Sequence, residues 1–425
     1  MASYFRRLYQ IDHLNDAWRK LHKKKHSRGF DQQSIERFGC QLDHNIERIS
    51  QELRSGHFAF QPLLGFLLDK SDGSKRPLKI PAVRDRVVMK AIHLLVAHKF
   101  RKYDLPCSFG YIRRRSTADA VKRVRELASQ GKTWVLEGDI AKFFDTVDRS
   151  LLMSRFVREI RLPSLANLIS RALELEIGNL EAFSPHEKDM FPLADSGIPQ
   201  GGVLSPLLAN FYLYPFDRAM TNAGFDLVRY ADDFVVMCES PERAHHAYDL
   251  AKRLLEGNLR LVLHSLAIGK KTKITLYSKG FTFLGLHFQG GLVRPTARAI
   301  DRFRENISRT ANPRHGLNLR TMLVSLQHAI EGWANAYTAY DCLDVFRTLD
   351  QHIRQAVSQY CRFYDFMQTG HLPSARQMRI LGVPCLESIL QKRQSQQHTE
   401  NVSHTRTHRN AIDLTTQSLK ESAAV

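Results

Sequence analysis

Apolar positions along this chain follow two periods. Over residues 1–60 they recur at threes and fours. Ile11, Leu14, Trp18 and Leu21 share one helical face, and Ile35, Phe38, Leu42, Ile46, Ile49 and Leu53 form a second stripe that Gly56 ends. Short β-prone runs follow: Leu63–Leu68 and Pro77–Pro81 flank Asp72-Gly73, a hairpin signal whose tip is basic through Lys70, Lys75 and Arg76. Arg84 to Lys102 reads as an amphipathic helix. Ser116 or Thr117 caps a helix that stops near Gly131, the strand Trp134–Ile140 carries Asp139 at its end, and Asp148 opens the next helix. A Gly/Pro-rich loop, Ser196–Pro206, precedes a helix over Leu207–Met220. Val228–Met237 reads as a hairpin with Asp232 and Asp233 at its turn.

Ser240 caps a helix running to Gly257, and Lys270–Ile274 and Phe281–Leu286 read as short strands. From about residue 296 the pattern is helical again. Met322, Leu326, Ile330 and Trp333 share a face, as do Phe346, Leu349, Ile353, Val357 and Tyr360; Arg347, Arg354 and Arg362 line a separate stripe. That stripe suits duplex phosphates, or is simply the solvated face of a small bundle. Residues 393–425 are rich in Gln, Ser, Thr and His and read as a loose tail.

Carboxylates placed at strand ends and turns set the chemistry. An Asp-Asp pair alone is most often a solvated turn. A strand-end acid elsewhere, Asp139, changes the weighing. Hard cations such as Mg²⁺ take oxygen ligands, usually one or two carboxylates completed by substrate phosphates. Two such ions about 3.5–4 Å apart stabilise the attacking and leaving oxygens of a phosphoryl transfer. The basic hairpin is suited to close on a triphosphate, since Arg grips phosphate oxygens bidentately and Lys acts as a point charge. In Ser108–Ser116, the run Arg113-Arg114-Arg115 lies beside Phe109 and Tyr111, a pairing of charge and stacking groups that suits a single-stranded template.

Charge points the same way. Lys and Arg number 62 against 43 Asp and Glu, a formal +19 that steers a polyanion to the surface. The six cysteines form no C-x-x-C pair, which argues against a zinc site or disulfide framework and suits a reducing cytosol. No apolar run approaches the ~20 residues of a membrane span, and no signal peptide is expected.

The order of these pieces resembles the successive blocks of bacterial reverse transcriptases of the group II intron type. The blocks are Arg76-Pro77-Leu78-Lys79-Ile80-Pro81 with Asp85-Arg86; Asp139 with Phe143-Phe144; Pro199-Gln200-Gly201; Tyr230-Ala231-Asp232-Asp233; Lys271-Thr272-Lys273-Ile274; and Phe283-Leu284-Gly285. Ser27–Asp31 resembles that group's extra N-terminal block, and Gly332-Trp333 with the helices after it its thumb. The resemblance covers roughly residues 10–365. It implies an α+β, right-hand polymerase fold: N-terminal helices and fingers in 1–115, a palm in 116–295 with a fingers segment inserted at about 150–195, and an α-helical thumb in 296–392.

The roles it implies fall residue by residue. Asp139 and Asp232 would hold two Mg²⁺ ions, for which Mn²⁺ could substitute, with Asp233 and Ile140 beside them. Lys70 and Arg76 would meet the triphosphate, Gln200 would position the incoming nucleotide, and Lys271 would be the lysine near the catalytic site. Phe144 matches the family's steric gate against a ribose 2′-OH. Strand alternation lets only one of Phe143 and Phe144 line that pocket, and Phe144 is the choice. Arg113, Arg114, Arg115, Arg347 and Arg354 are the expected nucleic-acid contacts.

One departure stands out: Gly110–Ser116 replaces the intron proteins' usual Gly-Phe-Arg-Pro-x-Arg-Ser. No endonuclease, RNase H, protease or integrase region is expected after the thumb. The chain looks similar to standalone defence-associated reverse transcriptases of the unknown group, type 2. That likeness implies copying of a neighbouring structured non-coding RNA into cDNA from dNTPs as an antiphage response. A compact intron-encoded maturase is the alternative, and an RNA-binding scaffold with a vestigial polymerase site is an alternative of another class.

Overall fold

The computed structural model describes residues 2–21, 27–69, 75–191, 196–266, 271–364 and 372–396. Lys70, the Asp72-Gly73 turn and residues 397–425 of the expected tail lie outside them. The chain divides into two units, Met1–Leu284 and Gly285–Val425. Helices and antiparallel sheets are segregated along the chain, an α+β arrangement as expected.

The first unit begins with helices Ala2–Leu8, Ile11–Arg19, Ile35–Cys40 and Leu42–Ser55. The apolar stripe of residues 35–53 is one pattern but two helices, because Gln41 leaves helical geometry at φ −125°, ψ 39°. Helix Val83–Phe100 is not amphipathic as expected. Val83, Val87, Val88, Ala91, Ile92, Leu95 and Val96 are buried, and so are Asp85 and Arg86. It lies inside the unit, packed by helices Ile11–Arg19 and Ser205–Asn222, so little of its surface is left for solvent.

Strands β1 (Leu64–Asp69) and β2 (Lys75–Ile80) pair antiparallel. A lone hairpin is marginal in water. This one is fastened by a later segment: Leu63 N–H donates to Glu176 O at 2.8 Å, and Asn179 brackets Gly65, accepting from its N–H at 2.7 Å and donating to its carbonyl at 3.0 Å. Lys75 and Glu187 add an ion pair at 2.7 Å.

The central sheet is four-stranded and antiparallel. Its strands are β3 (Trp134–Asp139), β4 (Asp226–Tyr230), β5 (Asp233–Cys238) and β6 (Lys273–Leu276), in the order β4-β5-β3-β6. Val135, Leu136, Phe234, Val235 and Val236 are buried in its interior. Helix Ser205–Asn222 packs beside β4 with Pro215 in its interior. Proline has no N–H to return to the carbonyl four residues back. Buried Arg155 supplies the missing donor, giving Nη2 to Phe211 O, and its Nη1 also donates to Tyr212 O, both at 3.1 Å.

Two elements are built differently from the sequence reading. The helix after Ser240 is regular over Pro241–Lys252 and widens into a π-helical turn at Arg253–Asn258. The run Phe281–Leu286 is not one strand. Leu284 and Gly285 both take positive φ, so Phe281–Phe283 stops and Leu286–Gln289 starts anew, pairing with Leu292–Pro295.

The second unit holds that hairpin and helices Ala297–Thr310, Leu319–Tyr337, Leu343–Phe363 and Ala375–Ile380. Its core is the stripe read from the sequence, Met322, Leu326 and Ile330 with Phe346, Leu349, Ile353, Val357 and Tyr360, joined by Phe303 and Ile307. Asp350, 7% exposed, caps the helix that starts at Leu386: its carboxylate accepts from Leu386 N–H at 2.8 Å, Glu387 N–H at 3.0 Å and the Cys385 thiol at 3.0 Å.

Candidate active site

The three acids come together at one end of the sheet. Asp139 ends β3 and is the register partner of Asp233, which opens β5. Asp232 sits between β4 and β5 in a two-residue turn with Ala231, whose φ of 58° is left-handed. Burial and the charge of Asp139 hold the Asp232 carboxyl above the usual range. Asp233 is pushed up to about 6 by crowding of its carboxyl and by the charges of Asp232 and Asp139, although the residue as a whole is exposed and solvent screens part of that repulsion.

Asp139 is held from the far side by a segment the sequence marked only for Lys271. Its backbone N–H donates to the fully buried Thr272 hydroxyl at 3.3 Å, and its carbonyl accepts from His264 N–H at 3.2 Å. Oδ2 is sequestered from solvent and makes no hydrogen bond of good geometry; Lys271 Nζ and His264 Nε2 stand 3.1 and 3.2 Å from it. A buried carboxylate oxygen left this way is suited to a cation. No cluster of three or more His, Cys, Asp or Glu side chains suited to a metal occurs among the described residues. A Mg²⁺ site does not need one, since one or two carboxylates and the substrate's phosphates suffice. Ile140 is buried and its backbone bridges Leu263, which sets the chain direction just past Asp139.

Arg76, exposed on β2, lies close enough to Asp232 and Asp233 for its charge to draw both carboxyl pKa values down. The Gln200 carbonyl accepts from Lys79 N–H at 2.9 Å, which ties the Pro199-Gln200-Gly201 loop to the end of β2. The same loop rests on the chain after Asp139: Ile198 N–H donates to Phe144 O at 2.7 Å, and a Cβ on Gly197 (φ 77°) would meet that carbonyl at 2.5 Å. So Arg76, Gln200 and Phe144 are linked through backbone to the acids.

The alternation expected for Phe143 and Phe144 does not occur. Lys142 takes φ 45°, and Phe143–Thr146 is a single helical turn. Phe143 is 2% exposed within the core, whereas Phe144 is half-buried and stacks edge-on against it at 5.3 Å.

The arginines read as nucleic-acid contacts separate. Arg113 and Arg114 are exposed. Arg115 is half-buried and donates to the carbonyls of Leu105, Ser108 and, at 3.2 Å, Asp104, so it shapes its loop. Arg347 pairs with Glu387 at 3.0 Å, and Arg354 Nε donates to Asp350 O at 3.3 Å, so both are engaged within the second unit.

The sequence reading passed over Arg229. It counted as one more residue of a strand, yet it is fully buried and pairs with Asp217, Nη2 to Oδ2 at 2.5 Å and Nε to Oδ1 at 2.6 Å. The available signal was an arginine inside an apolar run with an aspartate inside an apolar helix.

A family model described as "Reverse transcriptase (RNA-dependent DNA polymerase)" matches residues 68–288, and one described as "Group II intron, maturase-specific domain" matches residues 300–362. Protein YkfC of Escherichia coli (strain K12) is 30% identical over 301 residues, covering 62% of this chain and 76% of that protein. Group II intron-encoded protein LtrA of Lactococcus lactis subsp. cremoris is 30% identical over 225 residues, covering 53% of this chain and 34% of LtrA. Among the described residues no helix is long and apolar enough to cross a membrane. With a reverse transcriptase match over half its length and the acids gathered at one sheet end, the chain belongs to the group II intron-like reverse transcriptases, RNA-directed DNA polymerases that depend on a divalent metal.

Proposed function

We propose that the protein copies a structured RNA into DNA by two-metal nucleotidyl transfer at Asp139 and Asp232, with dNTPs as substrates and Mg²⁺ as the ion. The observation that carries this reading is the pairing of Asp139 with Asp233 beside the Asp232 turn. Asp139, Asp232 and the backbone of Ile140 would hold the ions, which supply charge stabilisation to the attacking and leaving oxygens. Arg76 and Lys70 grip the triphosphate. Gln200 orients the nucleotide from a loop fixed to β2, and Phe144 excludes a ribose 2′-OH. The hairpin β1–β2 and the segment that fastens it act as fingers, the four-stranded sheet as palm and the second unit as thumb. Arg113 and Arg114 are free to meet template phosphates.

The template we propose is a non-coding RNA encoded beside the protein, copied repeatedly in the cytoplasm as an antiphage response. This rests on the likeness to the standalone defence-associated enzymes and on the departure at Gly110–Ser116; the motif blocks are shared with the second reading. A second reading, an intron-encoded maturase, is favoured by the maturase-specific match over residues 300–362. Purifying the protein with its bound nucleic acid and sequencing that material, with and without dNTPs, tests both. One recurrent structured RNA and its cDNA support the first; an RNA carrying ribozyme domains supports the second. RNA without any dNTP-dependent cDNA would overturn polymerisation and leave a scaffold.

A further inference from the structure

Every N–H of the Arg229 guanidinium is used. Nε and Nη2 hold the Asp217 carboxylate, Nη2 also donates to Ser108 Oγ at 2.8 Å, and Nη1 donates to Asn210 Oδ1 at 3.1 Å and to Ala231 O at 2.7 Å. Arg229 and Asp217 are both 0% exposed. Removing an ion pair from water this completely is costly, and an apolar pair of similar volume usually packs as well or better. Stability alone is therefore a weak account of why the pair is there.

The fifth bond supplies a reason. It reaches the carbonyl of Ala231, the left-handed residue immediately before Asp232. A non-glycine residue held there costs roughly 1 kcal/mol or more, and the surroundings must impose it. The other contacts tie the guanidinium, which belongs to β4, to two further pieces of chain. Ser108 belongs to the loop before the arginine run, and Asn210 and Asp217 to helix Ser205–Asn222. The loop runs beside β4, with Arg229 N–H donating to Cys107 O and Phe109 N–H to Arg229 O, both at 2.8 Å. Asn210 Nδ2 donates to Gly110 O at 2.8 Å, and a Cβ on Gly110 would lie 2.4 Å from Ala231 N. The turn is thus in close contact with the loop at Ala231 N and hydrogen-bonded to the guanidinium at Ala231 O.

We propose that Arg229 is a positioning residue for polymerisation: held by Asp217, Asn210 and Ser108, it enforces the left-handed Ala231 turn and so aims the Asp232 carboxylate at the metal. The inference rests on Asp232 being a metal ligand, the reading given above. Lysine at 229 keeps the charge but cannot serve Asp217, Asn210 and Ala231 together. Misplacing a catalytic group by about 1 Å costs on the order of 100-fold in rate.

The test compares Arg229→Lys, Arg229→Met/Asp217→Leu, and Arg229→Lys/Ala231→Gly, with Asp232→Asn as the control. Melting temperature, template–primer affinity, kcat and dNTP KM are measured, and so is the rise in melting temperature of the free protein on adding Mg²⁺. The expected result for Arg229→Lys is a kcat lower by about 100-fold with dNTP KM and template affinity within about 3-fold of wild type, and a smaller Mg²⁺-induced rise. Glycine takes positive φ without an imposed cost, so adding Ala231→Gly restores at least about 10-fold of the lost kcat without raising the melting temperature. A merely structural arginine would not show that rescue. The proposal is overturned if a folded Arg229→Lys or Arg229→Met/Asp217→Leu variant keeps kcat within about 3-fold of wild type, or if glycine restores nothing. An active Asp232→Asn would overturn the site reading itself; an inactive Asp232→Asn beside an unimpaired Arg229→Lys would sink this proposal alone.

Discussion

Asp139 and Asp233 are direct partners across the β3–β5 ladder, so two carboxylates meet at a sheet end where Asp232 adds a third. Like charges this close destabilise the protein alone and favour a bound cation. Asp139→Asn and Asp232→Asn keep shape and remove the charge. Each should lower primer extension on an RNA template by at least about a thousand-fold. Melting temperature should stay the same or rise, because repulsion is relieved. Extension near the wild-type rate by either variant would refute the assignment.

Phe144→Ala should relax sugar selectivity. Phe144 is half-buried at the start of the turn after Asp139, and its removal opens space near the nucleotide sugar. rNTP use should rise about tenfold or more while dNTP use falls modestly. Phe143→Ala removes a ring from the core and should cost about 3–5 kcal/mol of stability without changing selectivity. Relaxed selectivity in the Phe143 variant alone would reverse the assignment.

Asp85 gives a pH prediction. It is fully buried and accepts from Gln61 N–H at 2.8 Å, and burial pushes its carboxyl up from 3.8 to about 7. An acid whose folded pKa exceeds its unfolded value holds its proton more tightly in the native state. That favourable contribution is fully present below about 4 and is lost as pH rises towards 7. Asp85→Asn keeps an acceptor and never ionises, so it should be more stable than wild type at pH 8, by at most about 4 kcal/mol. Near pH 4 the two should be equal. Urea unfolding at both pH values checks this, and a gain at pH 4 matching that at pH 8 would exclude Asp85 as the cause.

Asp350→Ala should destabilise the second unit. It strips the acceptor from two backbone N–H groups and a thiol at a buried helix start. The expected loss is about 2 kcal/mol or more, with Asp350→Asn intermediate. Thermal melting with a probe in that unit reads it; an unchanged transition for Asp350→Ala would mean water replaces the cap.

RNA affinity should fall steeply with salt, since a +19 chain releases counterions on binding. Between roughly 50 and 200 mM KCl a loss of about tenfold or more is expected by filter binding. A flat log–log plot would rule out electrostatic binding. Arg113→Ala and Arg114→Ala should each reduce the slope by about one unit, and Arg115→Ala should not.

Much of the fold was legible because its signals are local. Short apolar, β-prone runs marked β3 and β5, Ser116, Asp148 and Ser240 cap their helices as read, and spacing at threes and fours marked the second unit's core. The meeting of the acids was legible because Asp139 and the Asp232-Asp233 pair each fall at the end of a short apolar run. What escaped depends on tertiary partners. Arg229 read as one more strand residue and Arg115 as a nucleic-acid contact, since nothing local says that a guanidinium will find carboxylate and carbonyl partners inside. Helix Val83–Phe100 read as amphipathic because Arg84 and Arg86 are polar on paper; Arg86 is buried against Pro81 O and Ser27. The turn at Phe143–Thr146 was missed because Lys142 in a left-handed conformation has no reliable sequence mark.

The strand that ends in Asp139 lies inside the sheet, bonded to β5 on one side and β6 on the other. Its amides can exchange with solvent only when the unit opens as a whole, so Val135 and Leu136 should mark the slowest-exchanging foldon of the first unit. Catalytic geometry and cooperative unfolding then share one free energy. Mild heat, or a weakening substitution elsewhere in that core, reduces the fraction of molecules that are competent and leaves the turnover of each competent molecule unchanged.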